Sequence, residues 1–207
     1  MVKRNRRKIP KIKPERRPVD PILRALARYR ILTHAELTKF GASGIKLRRM
    51  SQAGQVISVG SGIYATTRLD PFVAAVLATA KYYPQAVISG LTALQIHGLA
   101  QEYIDKVDVD VPRDTSIHNK MLQVHRVPRS RLVGITEIKY ESGKIRIYDR
   151  ERALCEAYRL DPSGTLFFKA LKRYVAKGKV DPDQILLYDH AAKTSVLAHL
   201  RQEIADA

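Results

Sequence analysis

Cysteine is almost missing from this chain. Cys155 is the single one in 207 residues, which excludes a disulfide framework and suits a reducing, cytoplasmic setting. It falls within a helical apolar pattern, so a buried structural thiol is expected. Long apolar runs are missing too. None approaches the roughly 20 residues that a membrane helix needs, and no membrane partner is expected. Charge at the start of the chain is not followed by an apolar segment, which argues against a secretory signal. Internal repeats are absent. So are the loops of several enzyme classes: no Gly-x-Ser-x-Gly elbow, no Walker loop, no dinucleotide fingerprint. His97, His118, His125 and His190 are scattered, and none has a Cys or second His at zinc-site spacing. No catalytic residue, cofactor or metal is therefore expected.

Acidic residues are scarce in one part of the chain only. Residues 1–70 carry 17 Lys/Arg against 4 Asp/Glu, a net of +13. Residues 71–207 carry 20 against 16, a net of +4. A positive field that localised points to a polyanion partner, DNA or RNA. The remainder is close to neutral, and 45% hydrophobic content supplies a real core. The length suits one domain or two small ones.

The basic part divides in two. Residues 1–18 form a Pro-punctuated arm with nine Lys/Arg and one Glu. Too few apolar groups are present to build a core, so disorder is expected in the free protein. Lys3, Arg4, Arg6, Arg7, Lys8, Lys11, Lys13, Arg16 and Arg17 are candidates to track phosphates or enter a minor groove. A compact unit follows over residues 19–68. Helical spacing runs through 21–31, with Pro21 at a first turn. Thr33 and Glu36 make a capping-box pattern for a second short helix carrying Leu37 and Phe40. Gly41 stops it, and Ser43 can cap a third helix that ends at Gly54. Two short strands, QVISV and GIYATT, flank a tight turn at Gly60-Ser61-Gly62.

Helix, helix, turn, helix, hairpin is the order of a winged helix-turn-helix. With Leu47 and Met50 inward, Ile45, Arg48, Arg49 and Gln52 share the opposite face of the third helix. That distribution suits a recognition helix in a major groove. Ser43, Ile45, Lys46, Arg48, Arg49 and Gln52 are thus candidates to read double-stranded DNA, with Ser61 at the wing tip meeting a phosphate or the minor groove.

Residues 71–207 alternate helices and strands before a helical run from Asp149, an α+β pattern. Helices are expected at 71–82, in TALQIHGL, in RERALCEAYRL, in GTLFFKALKRYVAKG and once more from Asp181. Strands are expected in QAVIS, KVDVDVP, MLQVHRVP and ITEIKYESGKIRIYD. A mixed or antiparallel small sheet with C-terminal helices is the expected architecture. Gly90 before a helix, followed by Asp108 and Asp110 two apart on a strand, resembles the Mg²⁺-binding segment of nucleotidyltransferases. Leu91 stands where a second small residue belongs, and no third carboxylate is evident. The plainer reading is an edge strand with both acids on its solvent face. His97 reads as a packed or capping histidine. Asp149 and Glu151 suit a helix start, and Arg152 suits a buried ion pair.

Five segments in order resemble the AbiEi-type antitoxins of type IV toxin–antitoxin, or abortive-infection, systems. They are GASGIKLRRMSQAGQVISVGSGIYA (with Gly60, Gly62 and Tyr64), ISGLTALQIHGL, DVDVPR, VHRVP and IRIYDRERALCEAYR. The similarity spans about residues 20–160, with Ala153 where the family has Thr. The resemblance implies an antiviral-defence protein that is not an enzyme. Its winged helix would bind operator inverted repeats, as a homodimer on DNA, and repress its own operon. The domain at 71–207 would oppose a nucleotidyltransferase toxin, with or without direct contact. Two other readings stay open: a nucleotidyltransferase using Asp108 and Asp110, and a plain transcription regulator with a ligand-sensing or dimerising second domain.

Overall fold

A computed structural model describes residues 19–102 and 104–205. The chain is mixed α+β. The arm residues singled out above, Lys3 to Arg17, lie outside the described residues.

The first helices form a small core. α1 (Pro21–Tyr29) starts at Asp20, whose carboxylate accepts the Ile22 N–H at 2.8 Å. Pro21 at the first position gives up only an N–H the helix would leave unpaired. Helical spacing predicts that α1 runs to residue 31, but Arg30 takes a left-handed φ of 65° and ends it. Ile31–Thr33 is instead β1, because Ile31 and Leu32 bury on opposite faces of a sheet. α2 (His34–Thr38) carries the full capping box: the Thr33 N–H donates to Glu36 at 2.7 Å and the Glu36 N–H to Thr33 Oγ1 at 3.2 Å. α3 (Gly44–Gln52) leads into the hairpin of β2 (Val56–Ser58) and β3 (Ile63–Thr66).

These three strands pair antiparallel in the order β1-β3-β2. Alternation along each strand serves two cores at once. Leu32 and Val56 are buried with Ile22, Leu26, Leu37, Leu47 and Met50 of the helices, and Tyr64 packs against them. Ile31, Ile63 and Ala65 face the other way and join the larger core. The small sheet is therefore a shared wall. Its back is fastened to α4 (Pro71–Tyr82), where Lys81 donates to the Ile31 carbonyl at 2.7 Å and Tyr82 Oη to Glu36 at 2.7 Å.

The larger part has a five-stranded mixed sheet, in the order β6-β5-β4-β8-β7. The strands are β4 (Val87–Ile88), β5 (Val107–Pro112), β6 (Leu122–Val127), β7 (Ile135–Tyr140) and β8 (Gly143–Tyr148). β5 pairs with β6 on one side and β4 on the other, so it is not the edge strand that its alternation suggests. Its burial is not half-sided either: from Val109 to Pro112 every residue is buried. α5 (Gly90–Ile96) follows β4, and α6 (Arg150–Leu160) follows β8. The helical run ends in α7 (Thr165–Ala176), α8 (Pro182–Ala192) and α9 (Val196–Ala205). The pattern from Asp181 onward predicts one helix; there are two. Lys193 turns left-handed at φ 56°, and buried Asp189 accepts the N–H groups of Val196 and Leu197 at 3.0 and 2.8 Å. A carboxylate from the preceding helix thus caps the last one.

No helix among the described residues is long and apolar enough to cross a membrane.

Candidate functional site

α3 is amphipathic in the sense its spacing predicts. Ser43 caps it by accepting the Lys46 N–H at 3.2 Å. Leu47 and Met50 are buried in the small core, while Arg48, Arg49 and Gln52 are exposed. Ile45 is 69% exposed, an apolar side chain offered to solvent at the start of the helix. Lys46 differs from its neighbours: its ammonium pairs with Asp20 at 2.8 Å and ties α3 to the start of α1. That contact, led by the hydrogen bond from Lys46, holds the Asp20 carboxyl below its usual pKa. Lys46 thus serves the packing of α3 against the start of α1 more than the exposed face of α3.

The hairpin tip is not the free loop that its sequence suggests. Gly60, Ser61 and Gly62 all have positive φ (83°, 49° and 69°). The Ser61 hydroxyl donates to the His118 carbonyl, so it is already committed to a loop of the larger part. A Cβ on Gly60 would collide with Asn119 Oδ1, which only glycine avoids. The tip is docked on His118 and Asn119, and Gly60 leaves room there for the Asn119 side chain. No local sequence signal announces that partner, which lies 57 residues away.

Asp108 and Asp110 share one face of β5 but not one environment. Asp110 is 3% exposed and accepts the Tyr148 hydroxyl at 2.9 Å. Burial pushes its pKa up, and the nearby Glu156 adds to the effect against the hydrogen bond from Tyr148. Asp108 sits at the mouth of a cavity of about 400 Å³, lined also by Gly90, Leu94, Lys106, His125 and Leu160. His125 Nε2 lies 3.4 Å from its carboxylate, and the Thr92 N–H 3.3 Å. The Thr92 hydroxyl in turn accepts the Asp108 N–H at 2.9 Å. Gly90, at φ 53°, brings the first turn of α5 against Asp108, where a Cβ would meet Asp108 Cγ at 3.0 Å. Mg²⁺ recruits carboxylate oxygens that are open to it. Here Asp110 is enclosed, and no group of three His, Cys, Asp or Glu close enough to hold a metal occurs among the described residues. The arrangement braces β4, α5 and β5 against one another. Spacing of two on a strand reveals the shared face; it carries no information on the Tyr148 and His125 partners, which come from β8 and from the neighbouring β6.

The His125–Asp108 contact has a pH signature. The hydrogen bond to Asp108 raises the His125 pKa, with burial opposing and Asp110 assisting. A raised folded-state pKa means stability present below the unfolded value, about 6.5, and lost as pH rises through the folded value. His97 runs the other way, because burial lowers its pKa despite its 2.7 Å contact with the Tyr148 carbonyl. Wild type and His125→Gln should therefore differ most in unfolding midpoint below about pH 6.5 and converge as the pH rises above it. A gap that is constant over this range would refute the linkage.

The remaining singled-out residues are structural. Cys155 is fully buried, and burial pushes its thiol up to about 12. Arg152 pairs with Glu156 in the interior, both nearly inaccessible.

No family model matches the chain, and no curated protein matches it. Solved structures with a similar fold include the RV2827C protein from Mycobacterium tuberculosis, at a TM-score of 0.58 and 14% identity. The alignment covers 83% of this chain and 72% of that one. The likeness is one of fold.

Proposed function

We propose that the chain is a winged-helix DNA-binding protein that acts as an autorepressor and antitoxin of the AbiEi type. The observation that carries this reading is α3, a capped helix whose outer face sets Ile45, Arg48, Arg49 and Gln52 against solvent. In this reading α2 and α3 are the two arms of the helix-turn-helix and β2–β3 is the wing. α3 lies in the major groove, where arginines take guanine edges or phosphates and Ile45 meets a thymine methyl. Lys46 keeps a phosphate within reach only if it leaves Asp20, so its part is the smaller one. Ser61 contributes no phosphate contact through its hydroxyl. The arm from Lys3 to Arg17 supplies affinity without sequence preference, and inverted repeats are read by two copies of the chain. The larger domain carries the antitoxin activity against a nucleotidyltransferase toxin.

Two measurements test the halves separately. In a gel shift, the chain should bind the DNA upstream of its own reading frame in preference to a scrambled duplex. Deleting residues 1–17 should weaken binding to both duplexes alike and flatten the salt dependence by about 0.9 for each phosphate the arm neutralises. No preference for the upstream DNA would defeat the repressor reading. Co-expression with an adjacent nucleotidyltransferase gene should restore growth, and growth arrest despite full expression would leave only the plain regulator.

A further inference from the structure

The cavity beside Asp108 has a volume of about 400 Å³, inside the range of about 300–1,000 Å³ that takes small ligands. Residues of α5, β5, β6, α6 and α7 all line it. Leu91, Leu94, Leu160 and Leu166 give it apolar surface. Leu160 is 53% exposed at the end of α6, so the chain itself leaves much of this side chain uncovered.

The charge of the cavity runs against that of the chain. Asp105, Asp108 and Asp161 line it, against Lys106 alone. With His125 neutral these four leave a local net of −2, and with His125 charged −1. The chain as a whole has 37 Lys/Arg against 20 Asp/Glu. Asp108 is engaged by His125 and Thr92. Asp105 and Asp161 are exposed and enter no ion pair among the described residues. Helix ends reinforce the sign. The start of α5 is answered from within, since Asp108 accepts the Thr92 N–H at 3.3 Å. At the end of α6, Leu160 and the C-cap residue Asp161 both line the cavity. Arg159, the basic residue of that last turn, pairs with Glu156 instead. A helix C-terminus carries partial negative charge and favours a cation.

We propose that this cavity binds a small amphipathic amine, its apolar body against the leucines and its protonated nitrogen facing Asp105, Asp108 and Asp161. The proposal goes beyond the DNA-binding reading and does not rest on it. Chemistry selects the class of ligand. An anion, a nucleotide included, meets net repulsion from the lining. A bare metal ion finds no set of three His, Cys, Asp or Glu ligands among the described residues. A wholly apolar ligand would take water from the carboxylates and give nothing back. An ammonium on an apolar stem suits both surfaces: the stem is buried against leucine, and the nitrogen gives charge-assisted hydrogen bonds to carboxylates.

The test titrates the full chain, labelled with ¹⁵N, with tryptamine, tryptophol and indole-3-propionate. These probes share the indole ring and end in an ammonium, a hydroxyl and a carboxylate. Amide chemical shifts report both affinity and place. Tryptamine should shift Gly90, Gln123 and Leu166 and bind at least about tenfold tighter than tryptophol, with indole-3-propionate the weakest. Asp105→Asn with Asp161→Asn leaves the His125–Asp108 contact in place. It should weaken tryptamine at least about threefold and leave tryptophol unchanged. Leu160→Gln should weaken both probes alike, by about threefold or more. Equal affinity of the three probes would overturn the proposal, as would tryptamine shifts that persist unweakened in both variants at a wild-type thermal midpoint. Shifts of the same amides with ATP and Mg²⁺, and none with tryptamine, would also overturn it and point to a nucleotide site. The gel shift on α3 is unaffected by any of these outcomes, so the two readings fail separately.

Discussion

In the proposed DNA-binding reading, replacing Arg48 and Arg49 together with alanine should cost at least about 30-fold in affinity for the operator, and leave the fold intact. A well-placed bidentate arginine contact to a base is worth about 1–3 kcal/mol of discrimination, and about 1.4 kcal/mol is tenfold in affinity. Without two such arginines, specific binding falls toward the non-specific level. Both side chains are exposed on α3 and neither is in an ion pair among the described residues. Exposed substitutions of this sort change stability by about 0.5 kcal/mol or less. A gel shift at fixed salt, with scrambled duplex in parallel, reads the effect directly. An unchanged ratio between operator and scrambled DNA would remove α3 as the reading element.

Glu156→Ala should destabilise the chain more than any surface change. Glu156 is 2% exposed and faces two guanidinium groups, Arg152 in the interior and Arg159 at 2.6 Å. Arg152 is 1% exposed, lies over the Tyr148 ring at 4.9 Å and donates to the Arg131 carbonyl at 3.1 Å. Its Nε and Nη1 are buried without a hydrogen-bond partner among the described residues. Removing the carboxylate leaves a buried positive charge with one carbonyl and one ring to answer it. Breaking a buried pair from one side costs about 3–5 kcal/mol. For a chain of this size each kcal/mol lowers the thermal midpoint by about 2–4 °C. A fall of about 6–20 °C is therefore expected. Arg152→Met with Glu156→Leu should cost less stability than Glu156→Ala alone, since only the partly exposed Arg159 then keeps its charge. A Glu156→Ala midpoint within about 2 °C of wild type, less than 1 kcal/mol, would show that Arg152 finds another partner or solvent.

Much of the local structure could be read from neighbouring residues. Asp20-Pro21, Asp70-Pro71 and Asp181-Pro182 each start a helix, with the aspartate as cap and the proline at the first position. Thr33 and Glu36 make their capping box for the same reason: both partners lie within one turn. Leu47 and Met50 declare the inner face of α3, and with it the four outward residues. Interactions between distant residues are not legible in this way. Ile31 looks helical because its spacing continues that of α1; pairing with Ala65 across β3 makes it a strand. Asp108 and Asp110 look solvent-facing because alternation says which residues share a face, not what covers that face. Tyr148 and His125, from other strands, decide that. Asp189 capping α9 ahead of Val196 divides what reads as one long helix.

The sequence by itself therefore determined most of the helices and strands, where most helices start, and where the excess positive charge lies. Those properties depend on residues a few positions apart, and on a sum of charges that needs no coordinates. The tertiary structure alone decided that the small sheet serves two cores, that Ser61 is spent on His118, and that Lys106, Lys120 and Arg126 border the hairpin tip. Each of these brings together side chains tens of residues apart. Such contacts are fixed by the packing of whole elements, and no pattern within one element encodes them.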